Sequence, residues 1–206
     1  ILGTLDDLTS PEGTLISFNV PVTENDAGQS VSYYLMGTVP SGVTLNSATG
    51  SFQWTPSELQ GPGDYLITVR VYDDAFSPKS DTKSFTIHVT EVNAAPQLTS
   101  IGNRRVNSLT PVQVQASASD SDLPAQTLTY SLGDGAPEGT AINPSTGLLT
   151  WTPPAGSPDG TYHFDVVVSD NGSPVKSDTK GFDITLDQTP PTVVSVTPGG
   201  TVTTAW

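Results

Sequence analysis

The chain contains no cysteine among its 206 residues. Disulfides and thiolate zinc sites therefore cannot supplement its core, and the redox compartment cannot be read from cystine pairing. Basic residues are scarce as well: seven Lys and Arg stand against 21 Asp and Glu, a formal net charge of -14. That balance excludes a nucleic-acid partner, which needs cations along the phosphate backbone, and favours solubility or divalent cations. No apolar run approaches the roughly 18 residues of a membrane span, and no basic n-region with an apolar stretch opens the chain. Because it starts abruptly at Ile1, the chain is read as an internal piece of a longer protein, with any targeting signal outside it. Helical periodicity is missing too. The only histidines, His88 and His163, fall on polar strand faces in different halves, with no serine nucleophile motif beside either. Nor is there a second histidine at metal-ligand spacing, so the chain is not read as an enzyme.

What is present is punctuation and repetition. Nineteen glycines and 18 prolines separate short apolar alternations, the pattern of an all-β sandwich. The tract Asn46 to Pro56 returns as Asn143 to Pro153, and the same spacing of 97 joins Gly50 to Gly147, Trp54 to Trp151, Asp73 to Asp170 and Asp81 to Asp178. A period of about 100 residues means two whole domains, since solenoid repeats run at about 20 to 50. Strands are expected over 15–22, 31–36, 51–54, 64–72 and 82–90 in the first copy. In the second they are expected over 112–118, 128–132, 148–151, 161–169 and 179–186. Phe85, Ile87 and Val89 alternate with Thr86, His88 and Thr90, which gives the last strand of copy one a core face and a wet face. With short strands near each start, each copy is a seven-stranded Greek-key sandwich.

Domain bounds follow from the proline-bearing joints Glu91 to Pro96 and Asp187 to Pro191. Such joints are short and stiff because proline biases its predecessor to extended conformations. The expected organisation is one sandwich over 1–92, a second over 93–189, arranged end to end, and a linker with the first strand of a truncated third module over 190–206.

These segments resemble the cadherin-like and immunoglobulin-like modules of large bacterial surface proteins, including those called dystroglycan-type cadherin-like. The resemblance is carried by Pro11-Glu12-Gly13, Val31 to Leu35, Pro40 to Leu45, Ala48 to Pro56, Tyr65 to Asp73 and Glu91 to Pro96. It implies calcium at the domain joint, and calcium takes six to eight oxygen ligands, best supplied by carboxylates on loops at one end of a sandwich. The residues it designates are Glu12, Glu58 and Glu91 from copy one, Asn93 of the linker through its backbone carbonyl, and Asp120, Asp122 and Asp170 from copy two. Glu24, Asp26 and Asp73 form the corresponding half-site on copy one. The linker departs from the family pattern, with Glu91 in place of the first aspartate and Ala94 in place of the second. The competing reading of the same acids is that they form Asx turns and loops.

Trp54 and Trp151 share strand faces with Phe52 and Leu149 and are expected in the core. Tyr34 and Phe76, which have no aromatic counterpart in copy two, could contact a ligand. Phe76 is otherwise expected to fold over the sandwich edge. The reading that results is a non-catalytic, extracellular spacer or adhesion module of a larger secreted or surface protein, its joint stiffened by calcium. The alternative is a module that binds polysaccharide or another protein through exposed aromatic residues.

Overall fold

The computed structural model describes residues 1–24, 28–107, 109–190, 193–195 and 203–204. The chain separates into two compact units, Ile1–Val92 with Asp122–Pro124, and Asn93–Ser121 with Ala125–Trp206. Both are all-β.

In unit one the strands are β1 (Leu8–Pro11), β2 (Ile16–Asn19), β3 (Val31–Met36), β4 (Thr44–Leu45), β5 (Ser51–Trp54), β6 (Gly63–Asp73) and β7 (Ser80–Thr90). They form one sheet in the order β1-β7-β6-β3 and another in the order β2-β5-β4. All ladders are antiparallel except that of β1 on β7, which is parallel and runs from Leu8 opposite Ile87 to Pro11 opposite Thr90. This is the expected seven-stranded arrangement, and β3 and β5 have the bounds read from the sequence. Alternation puts Phe52, Trp54, Ile67, Val69, Phe85 and Ile87 in a core where none exceeds 2% exposure. The buried indole N–H must find an acceptor, and Trp54 Nε1 donates to Ser41 O at 3.1 Å.

Unit two repeats the scheme. Its strands are β8 (Gln97–Leu98), β9 (Arg104–Val106), β10 (Val112–Gln115), β11 (Ala118–Ser119), β12 (Thr129–Leu132), β13 (Thr140–Ile142), β14 (Leu148–Trp151), β15 (Gly160–Ser169) and β16 (Ser177–Leu186). One sheet runs β12-β15-β16-β9 with β9 parallel to β16, a second runs β10-β14-β13, and the short strands β8 and β11, beyond the seven expected, pair with each other. The strand expected over 112–118 is interrupted. It leaves β14 after Gln115, and Ala118 and Ser119 pair instead with Leu98 and Gln97. Trp151 Nε1 donates to Glu138 O at 3.1 Å, as its repeat partner does to Ser41. In the stretch 190–206, where a third module is expected to begin, Val193–Ser195 runs antiparallel to Thr203–Thr204; the rest of 191–206 lies outside the described residues.

The repeated aspartates recur because they satisfy the same backbone groups. Asp81 Oδ2 accepts the Leu2 N–H at 2.8 Å, and Asp178 Oδ2 accepts the Leu98 N–H at 2.9 Å, so each pins the entry segment of its own unit. Asn46 and Asn143 each take the two N–H groups of the following turn, an Asx motif.

Trp151 is fully buried between the sheets of unit two, so Trp151→Ala should cost about 3–5 kcal/mol of stability. Denaturant unfolding followed by circular dichroism measures this; a loss below 1 kcal/mol would contradict the packing described.

Candidate functional site

Three glutamates remote in sequence converge at one end of unit one. Glu12 follows β1 and Glu91 follows β7; because Pro11 stands opposite Thr90 in a parallel ladder, the two strands end level and release these residues side by side. The Glu12 N–H donates to Thr90 O at 3.0 Å, and the Gly13 N–H to Pro56 O at 2.8 Å. The second bond draws in the chain leaving β5, whose single 3₁₀ turn, Glu58–Gln60, presents Glu58. Gln60 anchors that turn by donating to Ser41 O at 3.2 Å, while Tyr65 Oη donates to Gln60 O at 2.7 Å.

The result is one oxygen from each of Glu12, Glu58 and Glu91, all within 4.8 Å of one another. Glu12 Oε1 accepts the Val92 N–H at 3.0 Å, and Glu58 Oε1 accepts the Leu123 N–H at 2.8 Å. Glu12 Oε2 and both carboxylate oxygens of Glu91 are buried without a hydrogen-bond partner. Burial pushes the Glu91 carboxyl up to about 7 from 4.5, and the charges of Glu12, Glu58 and Asp122 add to the rise. Glu12 is raised for the same first reason, desolvation, against which the Val92 N–H acts. Buried carboxylates of one sign must protonate or find a cation, and this oxygen-only set could hold a hard divalent ion.

Asp122, only 2% exposed, belongs to unit one with Leu123 and Pro124 and is among the charges that act on Glu12 and Glu91. Asp120, Asn93 and Asp170 belong to unit two. Asn93 and Asp170 are buried together there: Asn93 Nδ2 donates to Asp170 Oδ2 at 3.1 Å and to Pro174 O at 2.8 Å, and Gln126 Nε2 donates to Asn93 Oδ1. Asp170 Oδ1 also accepts the N–H groups of Gly172 at 3.1 Å and Lys176 at 2.9 Å. Burial would raise the Asp170 pKa, but these donors outweigh it and hold the carboxyl below its ordinary value. The carbonyl of Asn93, expected as a ligand, accepts the Lys176 ammonium at 2.6 Å. An internal cation thus occupies it.

The half-site on unit one divides likewise. Glu24 and Asp73 line a cavity of about 220 Å³ with Lys79 and Asp81, and Asp26 lies outside the described residues. Asp73 Oδ1 accepts the Ala75 and Lys79 N–H groups at 3.3 and 2.9 Å, the same two positions that Asp170 satisfies in unit two. Both aspartates close a loop.

Tyr33 points into the core and Tyr34 outward, 49% exposed and edge-on to Tyr72 at 5.7 Å. The Arg70 guanidinium covers the Tyr72 ring at 4.5 Å. Phe76 does not fold over the sandwich edge; the loop after β6 leaves its ring fully exposed. His88 and His163 sit on outer faces beside Asp64 and Asp183, each with Nδ1 2.7 Å from a carboxylate oxygen. Among residues the sequence reading missed, Gly61 matters most, because a Cβ there would collide with Glu12 Oε2. Gln126 and Lys176 were missed as well, since their role is to complete hydrogen bonds of Asn93.

Two sandwiches of this topology, each with a buried tryptophan, define a tandem of immunoglobulin-like, cadherin-like modules. The chain belongs to the family described as "Putative Ig domain", which matches residues 1–90 and 95–187. It is similar in fold to mouse cadherin-23 repeats EC22-24, with 23% identity and a TM-score of 0.52 over 88% of this chain and 61% of that one. Drosophila N-cadherin EC1-4 gives 21% identity and a TM-score of 0.55 over 88% of this chain and 47% of that one. The chain therefore spans less than two thirds of either. No curated protein matches it.

Without a cation, the folded Glu91 holds its proton up to about pH 7 while an ordinary glutamate loses it near 4.5. Between those values the folded state binds more protons than the unfolded, so stability falls as pH rises through the window. Melting temperatures in chelator should decline from pH 4.5 to pH 7, and Glu91→Gln should flatten that decline and raise the melting point at neutral pH. A Glu91→Gln variant that melts lower at pH 7 would contradict the assignment.

Proposed function

We propose that this tandem is a non-catalytic, extracellular spacer or adhesion segment of a larger secreted or bacterial surface protein, and that calcium bound at Glu12, Glu58, Glu91 and Asp122 stiffens the joint between its modules. The observation that carries the reading is the convergence of Glu12, Glu58 and Glu91 within 4.8 Å with Glu12 Oε2 and both Glu91 oxygens lacking a hydrogen-bond partner. Hard oxygen donors on separate loops suit calcium. A divalent ion would supply positive charge where desolvation and like-charge repulsion now raise the Glu91 and Glu12 pKa values. The chain passes between units at 92–93, 121–122 and 124–125. Glu91 and Asp122 lie next to the first two of these crossings, so fixing their carboxylates would restrain them. The role is mechanical: a fixed angle would hold a remote domain away from a surface.

Calorimetry on chelator-stripped protein should show saturable calcium binding. Thermal unfolding should move up by an amount set by concentration and affinity, about 2.7 kcal/mol at a hundredfold excess over Kd. Glu12→Gln with Glu58→Gln should abolish both effects while the cation-free protein stays folded. No binding at millimolar calcium would sink the reading.

A second reading, recognition of a polysaccharide or another surface protein, is favoured by the exposed Tyr34 beside Tyr72 and the exposed Phe76. It predicts saturable binding that Tyr34→Ser with Phe76→Ser removes at unchanged melting temperature. Binding that survives both changes would place the contact elsewhere.

A further inference from the structure

The loop that closes unit two between β15 and β16 begins Asp170-Asn171-Gly172, and Asn171 is the only asparagine in the chain followed by glycine. Two hydrogen bonds hold the reacting groups of this dipeptide. Asp170 Oδ1 accepts the Gly172 N–H at 3.1 Å, and the Thr127 N–H donates to Asn171 Oδ1 at 2.7 Å. The first lies within the reach of a general base. The second polarises the side-chain carbonyl and is aimed at the oxygen that would gather negative charge if Cγ were attacked.

We propose that Asn171–Gly172 is a self-modifying site at which the asparagine amide is lost and a carboxylate is created. The Gly172 nitrogen bonds to Asn171 Cγ while its proton passes to Asp170. The Cγ–Nδ2 bond then breaks, the departing nitrogen takes the proton back, and ammonia leaves a five-membered imide. Water opens that ring at either carbonyl, giving aspartate or isoaspartate. The balance is one water consumed and one ammonia released, with no oxidant or reductant. Gly172 is sterically obligatory, since a Cβ would run into the Asn93 side chain.

Unit one carries the counterpart of the product. Asp74, 97 residues before Asn171, accepts the N–H of Ser30 at 3.1 Å and its hydroxyl at 2.7 Å, and Ser30 stands 97 residues before Thr127. Those bonds hold the Asp74 carboxyl below its ordinary value. The fold already accommodates a carboxylate at this place, and modified Asn171 would present one to the matching Thr127. The seven other asparagines lack a following glycine: Asn143 precedes a proline without an N–H, and Asn19, Asn25, Asn46, Asn93, Asn103 and Asn107 precede residues with a Cβ.

The test is peptide mapping by mass spectrometry of the whole protein incubated in mildly alkaline buffer, against the same protein kept in denaturant. Folded wild type should convert Asn171 at least as fast as the denatured chain, release equimolar ammonia and leave Asn46, Asn93 and Asn103 as amides. Asp170→Asn should slow the folded reaction several-fold, and Asn171→Asp should fold with an unchanged or higher melting temperature. A folded rate well below the denatured one would show that the loop protects the amide and would overturn the proposal, as would an Asn171→Asp protein that does not fold.

Discussion

Like charges cannot share a desolvated corner without a proton or a counter-ion, and the end of unit one is built around that constraint. Its three glutamates come from the ends of two strands and a 3₁₀ turn, so the ladder between β1 and β7 cannot form without bringing Glu12 and Glu91 together. The parallel register that completes the sheet is therefore what concentrates the charge. A glycine at 61 leaves room for it, and the Val92 and Leu123 N–H groups satisfy part of it. The unsatisfied remainder raises Glu91 toward neutrality. A cation would supply the positive charge that this oxygen-only set lacks.

The repeated aspartates bond to their own unit's backbone in both copies. Asp73 and Asp170 each accept the N–H groups two and six residues on, and Asp81 and Asp178 each accept the N–H of a leucine in the entry segment. Retaining both copies of such a bond preserves the loop, with no ligand needed to explain the repetition. The copies part at the candidate site residues. Glu12 and Glu58 have no acidic equivalent 97 residues on, Tyr34 and Tyr72 are replaced by Ser131 and Ser169, and Asp74 is replaced by Asn171.

Much of the fold was legible because period-two alternation and Pro-Gly punctuation leave a sandwich few alternatives. The strands at 31–36 and 51–54 needed no adjustment, whereas the break after Gln115 did not announce itself, since Ala116 to Ala118 remain compatible with a strand. The candidate site was legible only in part. Glu12, Glu58 and Glu91 are separated by dozens of residues, and nothing local says they meet; the family resemblance designated them, and the ladder register supplies the physical reason. The same resemblance could not reveal that Lys176 takes the Asn93 carbonyl, because a lysine in a loop carries no pattern. Nor could it separate Asp170 the loop closer from a cation ligand. That distinction depends on three donors that only the folded chain assembles.

The most direct test of the account is an NMR titration of the glutamate carboxyl carbons, in chelator and again in saturating calcium. The Glu91 midpoint should lie at about 7 without cation and well below the ordinary glutamate range when calcium is present, with Glu12 moving in the same direction. A Glu91 midpoint near 4.5 in both conditions would contradict both the desolvated cluster and the cation it is proposed to hold.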